Sequence, residues 1–282
     1  LHPERSAAAY DALTQSFGTL TGAAAAVLKV ANANMGRAIR VVSVERGFDP
    51  REFTLVAFGG AGPLHACELA ELLELPRVLV PRHPGVLSAL GMVMAPVTRE
   101  AFAPMMRPAG PGLSRALKTA VPRLTRRCRE ALVRDGYPAA VRARPEVLLS
   151  MRYVGQSYEL FIPAELGKAP LEVRFHRAHQ QRYGHSEPGR SIEAVTLRVR
   201  VQLPGRRIEL RPEIAPGDPV LGQARVWFGR FRQSRLLLRD RLRPGARYDG
   251  PAVVVQMDAT TVVPPGWRMR VDPMANLILE RR

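Results

Sequence analysis

The sequence predicts an α/β region followed by a mainly β region with a few helices, and two observations carry that prediction. In roughly the first third, a long helical stretch, a short apolar strand, a glycine turn, a second helix and a second strand follow one another. That order is expected of a parallel strand pair joined by a right-handed helical crossover. Beyond about residue 145, helical periodicity gives way to short strand-like runs divided by Gly and Pro.

Each element has a local reason. Residues 4–17 read as a short helix. Thr21 is the expected N-cap of a long helix reaching Arg46, with Gly47 as its stop. Within it Leu28, Ala31, Met35, Ala38, Ile39 and Val42 recur at helical spacing and mark the expected buried face. Asp49-Pro50 turns the chain into a strand at 54–58. A helix over 63–74, a strand over 77–80 and a short helix over 85–94 complete this region. Pro96, Pro104, Pro108 and Pro111, with Gly110 and Gly112, predict a linker over 97–113. A helix over 113–135 follows. Strands are expected at 146–153, 157–162, 192–203, 224–229, 234–238, 252–256, 260–263 and 276–280, with one helix over 172–183. The expected domains are therefore 1–96 and 114–282, joined by 97–113.

Composition narrows the function classes. Hydrophobic residues make up 46% and charged residues 24%, ordinary for a globular protein. No window approaches the roughly 18 uninterrupted apolar residues of a membrane span, and the Ala-rich run from Gly22 to Val30 is broken by Lys29. The net charge of +17 invites a nucleic-acid partner. Against that, the basic residues are almost all scattered Arg, and aromatics, only 6%, form no stacking platform. Neither a nucleic acid nor a membrane is the expected partner. Cys67 and Cys128 are too few and too far apart for a disulfide scaffold or zinc knuckle, which suits a reducing cytoplasm; Cys67 reads as a small core residue.

The segment Thr54–Ala66 (TLVAFGGAGPLHA) is the leading candidate for chemistry. Gly59, Gly60 and Gly62 let the backbone turn sharply and approach a ligand, and Pro63 suits the start of a helix whose free N–H groups favour phosphate or a polar heterocycle. A plain structural turn is the alternative. His65, in the first turn of that helix, either faces the ligand or caps the strand ends. Asn32 and Asn34 sit mid-helix against propensity, so a polar partner, a loop or a nucleotide is one explanation and a solvent-facing amide the other; Asn34 shares a face with Arg37.

Other clusters are weaker. His176, His179 and His185 place two imidazoles on one helical face. No carboxylate sits at a matching helical position and Glu187 lies beyond Gly184, so a solvated helix outweighs a metal site. Tyr153, Gln156, Tyr158 and Glu159 are expected to alternate on a strand, with Gln156 and Tyr158 on one face. Asp258 beside Thr260 and Thr261 is a further polar group. No Ser/His/Asp or Cys/His arrangement follows from spacing, and no catalytic residue is assigned.

Several ordered motifs extend the argument: Val30–Arg40 (VANANMGRAIR), Val44–Pro50 (VERGFDP), Pro76–Pro81 (PRVLVP), Pro84–Gly91 (PGVLSALG), Arg152–Leu160 (RYVGQSYEL), Tyr248–Ala252 (YDGPA) and Thr260–Trp267 (TTVVPPGW). With the glycine turn, they resemble the hydantoinase A / 5-oxoprolinase family, whose relatives include acetone carboxylase β subunits. The resemblance implies an actin-like ATPase core (the ASKHA type) of which only part is present, then the family's β-rich C-terminal domain. The acidic, glycine-rich phosphate loop of the family's N-terminal half has no counterpart here, so a fragment is expected. The resemblance also implies ATP and Mg2+ as cofactors, with Gly59, Gly60, Ala61, Gly62, His65 and Asn34 as candidate nucleotide contacts. A small cyclic amide is the implied substrate, its carbonyl activated by phosphorylation, and a hydantoinase B-type subunit or fused domain the implied partner. ATP-dependent ketone carboxylation in a β-type subunit and a truncated, non-catalytic docking module are the alternatives.

Overall fold

The computed structural model describes residues 3–164 and 170–282, which form two compact units: residues 3–92 with 208–282, and residues 93–164 with 170–207. The chain begins with helices α1 (Pro3–Ala9), α2 (Asp11–Phe17) and α3 (Leu20–Val42), then strand β1 (Thr54–Val56), helix α4 (Gly62–Leu72), strand β2 (Arg77–Val80) and helix α5 (Leu87–Met94). Next come β3 (Val97–Pro108), α6 (Pro111–Arg134), β4 (Pro145–Tyr153), β5 (Leu160–Pro163), α7 (Leu171–Tyr183) and β6 (Ile192–Leu203). The last stretch is all strand: β7 (Val220–Trp227), β8 (Phe231–Leu238), β9 (Arg247–Asp249), β10 (Ala252–Val255), β11 (Thr260–Val263), β12 (Trp267–Val271) and β13 (Leu277–Arg281).

In the first unit, β1 and β2 are parallel, Thr54 facing Arg77, with α4 as their crossover. The sheet does not stop there. β13 pairs antiparallel with β2, and β12 and β9 follow, giving the order β1-β2-β13-β12-β9. A second sheet, β11-β10-β8-β7, carries the remaining strands. The core gathers Ala66, Cys67 and Ala70 of α4 against Val78, Val80, Trp267, Met269, Leu277 and Leu279. Trp267 is 1% exposed, and its indole N–H donates to the Glu71 carboxylate at 2.7 Å, so the largest core side chain has no unmet donor.

The second unit is an antiparallel sheet, β3-β6-β4-β5, packed against helices. α6 turns Leu113, Leu117, Leu124, Cys128 and Leu132 toward the core, and α7 adds Phe175. Along β6, Leu197, Val199 and Val201 point inward. Arg198 and Arg200 alternate to the other face, where both reach Glu100 at 2.5 Å. Those guanidinium hydrogen bonds hold the Glu100 carboxyl below the usual glutamate range.

Four expectations are corrected. The segment 97–113 is no linker: it is strand β3 and the first residues of α6. Its prolines are tolerated because β3 is an edge strand, where a missing N–H faces no neighbour. The register also shifts between Pro104 and Arg107, with Met106 at φ 43°. The division into 1–96 and 114–282 differs from the compact units, because β9, β12 and β13 complete the sheet begun by β1 and β2. The long helix is capped by Thr19, whose hydroxyl accepts from the Gly22 N–H at 3.0 Å, rather than by Thr21, and it ends at Val42. A single 3-10 turn, Val44–Arg46, then leads to Gly47 at φ 82°. Finally, the apolar stripe of that helix is its buried face only in part. Leu28, Ala38 and Val42 are exposed, Ala31, Met35 and Ile39 are half-buried with Ile39 packed on the core, and Ala23, Asn32 and Gly36 are buried. The reason is close packing on α4: a Cβ at Gly36 would lie 2.6 Å from Leu72 Cδ2.

Candidate functional site: the glycine turn between β1 and α4

β1 gives way to the turn where Ala57 N–H donates to Leu79 O at 2.9 Å. Gly59 then takes φ 82°, a region that favours glycine, and its N–H donates to Pro84 O at 2.8 Å. Nothing lies within 4 Å of where a Gly59 side chain would start. Gly60 and Ala61 are exposed, and α4 starts at Gly62 without a side-chain cap. Pro63 carries no N–H and the Leu64 N–H donates to Ala61 O at 3.0 Å, so the exposed backbone of Gly60 and Ala61 is what the turn offers a polar ligand.

The turn is closed from one side by residues far away in sequence. Gln256 to Ala259 link β10 to β11, and Asp258 Oδ2 accepts the Gly85 N–H at 3.0 Å. The space beside Gly60 ends at Asp258 O, 3.3 Å from a notional Cβ, and a Cβ at Gly85 would meet the same oxygen at 2.5 Å. Gly85 and Pro84 thus belong to this constellation, although the sequence reading gave them no role there. A Pro-Gly pair just beyond a parallel strand was the available signal, since parallel sheets bind ligands beyond their carboxyl ends.

His65 is half-buried and tied to α3 rather than to the strand ends. Its Nδ1 lies 2.8 Å from Asn32 Oδ1, and Asn32 Nδ2 donates to the Glu68 carboxylate. A carboxylate only accepts, so the Asn32 amide nitrogen faces Glu68 and its oxygen faces His65. It follows that His65 Nδ1 carries a proton, and the neutral ring keeps its lone pair on Nε2. Asn32 is thereby the buried amide with partners, whereas Asn34 is exposed and makes no hydrogen bond among the described residues.

The other clusters resolve differently. Each imidazole near α7 engages Nδ1: His176 with the Tyr153 hydroxyl at 2.8 Å, His179 with His185 O at 2.8 Å, and His185 with Tyr183 O at 3.2 Å. Together with Phe175 they form an aromatic cluster around buried Tyr153. Among the described residues no three His, Cys, Asp or Glu side chains gather as a metal site. The expected strand alternation through Tyr158 and Glu159 does not occur: β4 ends at Tyr153, Gly155 takes φ 84°, and β5 begins at Leu160. Glu159 instead accepts from the buried Ser150 hydroxyl, and Tyr158 is 79% exposed. Cys67 and Cys128 are buried, and desolvation raises both thiol pKa values. No helix among the described residues is long and apolar enough to cross a membrane.

Comparison with known proteins adds a lineage to this geometry. A hydantoinase/oxoprolinase model matches residues 5–101, and the model of the hydantoinase/oxoprolinase C-terminal domain matches residues 112–281. Caprolactamase subunit alpha of Pseudomonas jessenii is 29% identical over 291 aligned residues, covering 95% of this chain and 41% of the relative. 5-Oxoprolinase 1 of Arabidopsis thaliana is 30% identical over 263, covering 90% of this chain and 20% of the relative. A nucleotide-free structure of acetone carboxylase aligns over the whole chain and 43% of its own, with a TM-score of 0.83 at 24% identity, a likeness of fold. The chain spans 41% or less of the length of these two curated relatives.

Proposed function

Because the chain belongs to the hydantoinase/oxoprolinase family, we propose that it is a component of an ATP-dependent cyclic-amide hydrolase and contributes the adenosine side of the nucleotide site. The observation that carries this reading is the turn Gly59–Gly62. Its backbone is open at Gly59, exposed at Gly60, and followed by a helix start that no side chain caps. Those features suit the close approach of a flat heterocycle and its ribose, and they fit the partial actin-like core that the family resemblance implies. His65 presents Nε2 as an acceptor one turn into the same helix, and Asn34 stands further off on α3 as a candidate polar contact.

ATP supplies the phosphoryl group that turns an unreactive ring carbonyl oxygen into a leaving group. This chain's part is to bind and orient: Gly59 to Gly62 seat the base, and Asp258 holds the Pro84–Gly85 segment against the turn. Mg2+ is bound largely through phosphate oxygens and water in such sites, and no described residue is assigned to it. A hydantoinase B-type subunit or fused domain is the proposed partner; the "subunit alpha" in the name of the caprolactamase relative supports a multi-subunit assembly. Ketone carboxylation is the second reading, favoured by the likeness of fold to acetone carboxylase.

Gly60→Val tests the nucleotide assignment. Measured by equilibrium binding of ATP with Mg2+, affinity should fall at least about tenfold while circular dichroism stays unchanged; an unaltered affinity refutes it. With the partner present, ATP turnover that depends on 5-oxoproline or hydantoin supports hydrolysis. Turnover that depends on a ketone and bicarbonate supports carboxylation.

A further inference from the structure

β2 ends at Val80, and the chain leaves the sheet as Pro81-Arg82-His83-Pro84. Directly under this exit lies Arg239, which follows β8 and is 1% exposed. Its Nη2 donates to the carbonyl oxygens of Ala275 at 2.9 Å and Pro81 at 3.1 Å. Its Nε and Nη1 are buried and have no hydrogen-bond partner. Arg82 is similar: Nη2 donates to Glu213 O, while Nη1 is buried and unpartnered. Neither guanidinium has an ion-pair partner among the described residues. Burial, then the neighbouring charge of Arg82, pushes the Arg239 pKa down to about 9. Asp240, Asp272 and Asp258 act on Arg239 only through space and do not outweigh burial, and three buried N–H-bearing nitrogens without acceptors, on Arg239 and Arg82, cost stability.

A cavity of about 210 Å³ opens beside Arg82, with Arg239 outside its lining. Arg82 and His83 line it, and Leu87, Leu90 and Met274 make its apolar wall. Asn276 also lines it but is already committed, accepting from Arg82 N–H at 3.0 Å and donating to Asp272 at 2.9 Å. Asp272 is committed in turn to the backbone N–H groups of Met274 and Asn276. Asp272 therefore shapes the loop and acts on Arg239 only through space, without forming an ion pair with it.

We propose that this cavity binds a small organic anion, its carboxylate or phosphoryl head on Arg82 above the buried charge of Arg239 and its short apolar body against Leu87, Leu90 and Met274. The anion supplies Arg82 with the ion-pair partner it lacks among the described residues. The site is separate from the glycine turn: Pro84 O serves Gly59, whereas Arg82 and His83 serve the cavity. It does not depend on the nucleotide reading.

Isothermal titration of the 282-residue chain with sodium butyrate, and separately with inorganic phosphate, tests this at an ionic strength fixed by sodium chloride. Saturable binding of butyrate is expected, weakened about tenfold or more by Arg82→Gln and by Arg239→Leu. Leu87→Trp, which fills the cavity and leaves every arginine in place, should abolish it; this variant decides the matter if either arginine variant fails to fold. Saturable phosphate binding without butyrate binding, lost in Leu87→Trp, supports the site and identifies a phosphoryl head. No saturable binding of either anion, or binding that Leu87→Trp leaves unchanged, overturns the proposal. Either failure leaves the test at Gly60 standing, since that site uses other residues.

Discussion

Gly85→Ala is a small change in a place with no room for it. The Gly85 backbone is not left-handed, so alanine brings no conformational strain. What it brings is a methyl 2.5 Å from Asp258 O, 2.7 Å from Asp258 Cβ and 2.7 Å from Asp258 Oδ2. The closest of these is a backbone atom. Reaching ordinary contact at 3.4 Å means a retreat of about 0.9 Å by the turn between β10 and β11. That retreat breaks the 3.0 Å hydrogen bond from Gly85 N–H to the Asp258 carboxylate. Overpacking at about 1–3 kcal/mol and a half-exposed charged hydrogen bond at about 1 kcal/mol together give a destabilisation of about 2–4 kcal/mol. Urea unfolding of wild type and variant measures it. Asp258→Ala, which removes only the hydrogen bond, should cost about 1 kcal/mol, and Gly60→Ala, with its 3.3 Å contact, should fall below Gly85→Ala. A Gly85→Ala variant within about 0.5 kcal/mol of wild type would refute the view that Asp258 is packed rigidly against this segment.

Three further outcomes can be checked. Leu197 is fully buried at the centre of the second unit's sheet, so Leu197→Ala should destabilise that unit by about 2–5 kcal/mol in a denaturant titration. Glu100 titrates below its ordinary value of about 4.3 because Arg198 and Arg200 favour its charged form. Its contribution to stability is therefore present above the unfolded pKa and disappears as pH falls through the lowered folded one. Glu100→Gln should flatten the acid limb of a stability profile below about pH 4.3, and an unchanged limb would count against the pair. Burial raises both thiols, so Cys67 and Cys128 should react with a thiol reagent at pH 8 only after unfolding; prompt labelling of the folded chain would contradict their packing.

Sequence alone determined the features that depend on neighbours a few residues apart. The glycine turn, the parallel pair it joins, the strand 192–203, the strand 260–263 and the placing of Cys67 in a core all rest on local periodicity, proline and glycine, and all are found. Local signals misled where pairing at a distance decided the outcome. Prolines announced a linker at 97–113, yet an edge position beside β6 made a strand of it. The apolar stripe on α3 announced a buried face, yet only Ala31, Met35 and Ile39 of it are half-buried, because α4 packs closest at the small residue Gly36 beside them. The contacts that shape both candidate sites span great lengths of chain: Asp258 reaches Gly85 across 173 residues, and Arg239 reaches Pro81 across 158. No window of sequence contains such pairs. They exist because β13 docks on β2 and β10 on β8, which carries residues 239, 258 and 276 to the end of a strand laid down near residue 80. Burial of apolar faces drives that docking, and it settles which charges are left facing one another without a partner.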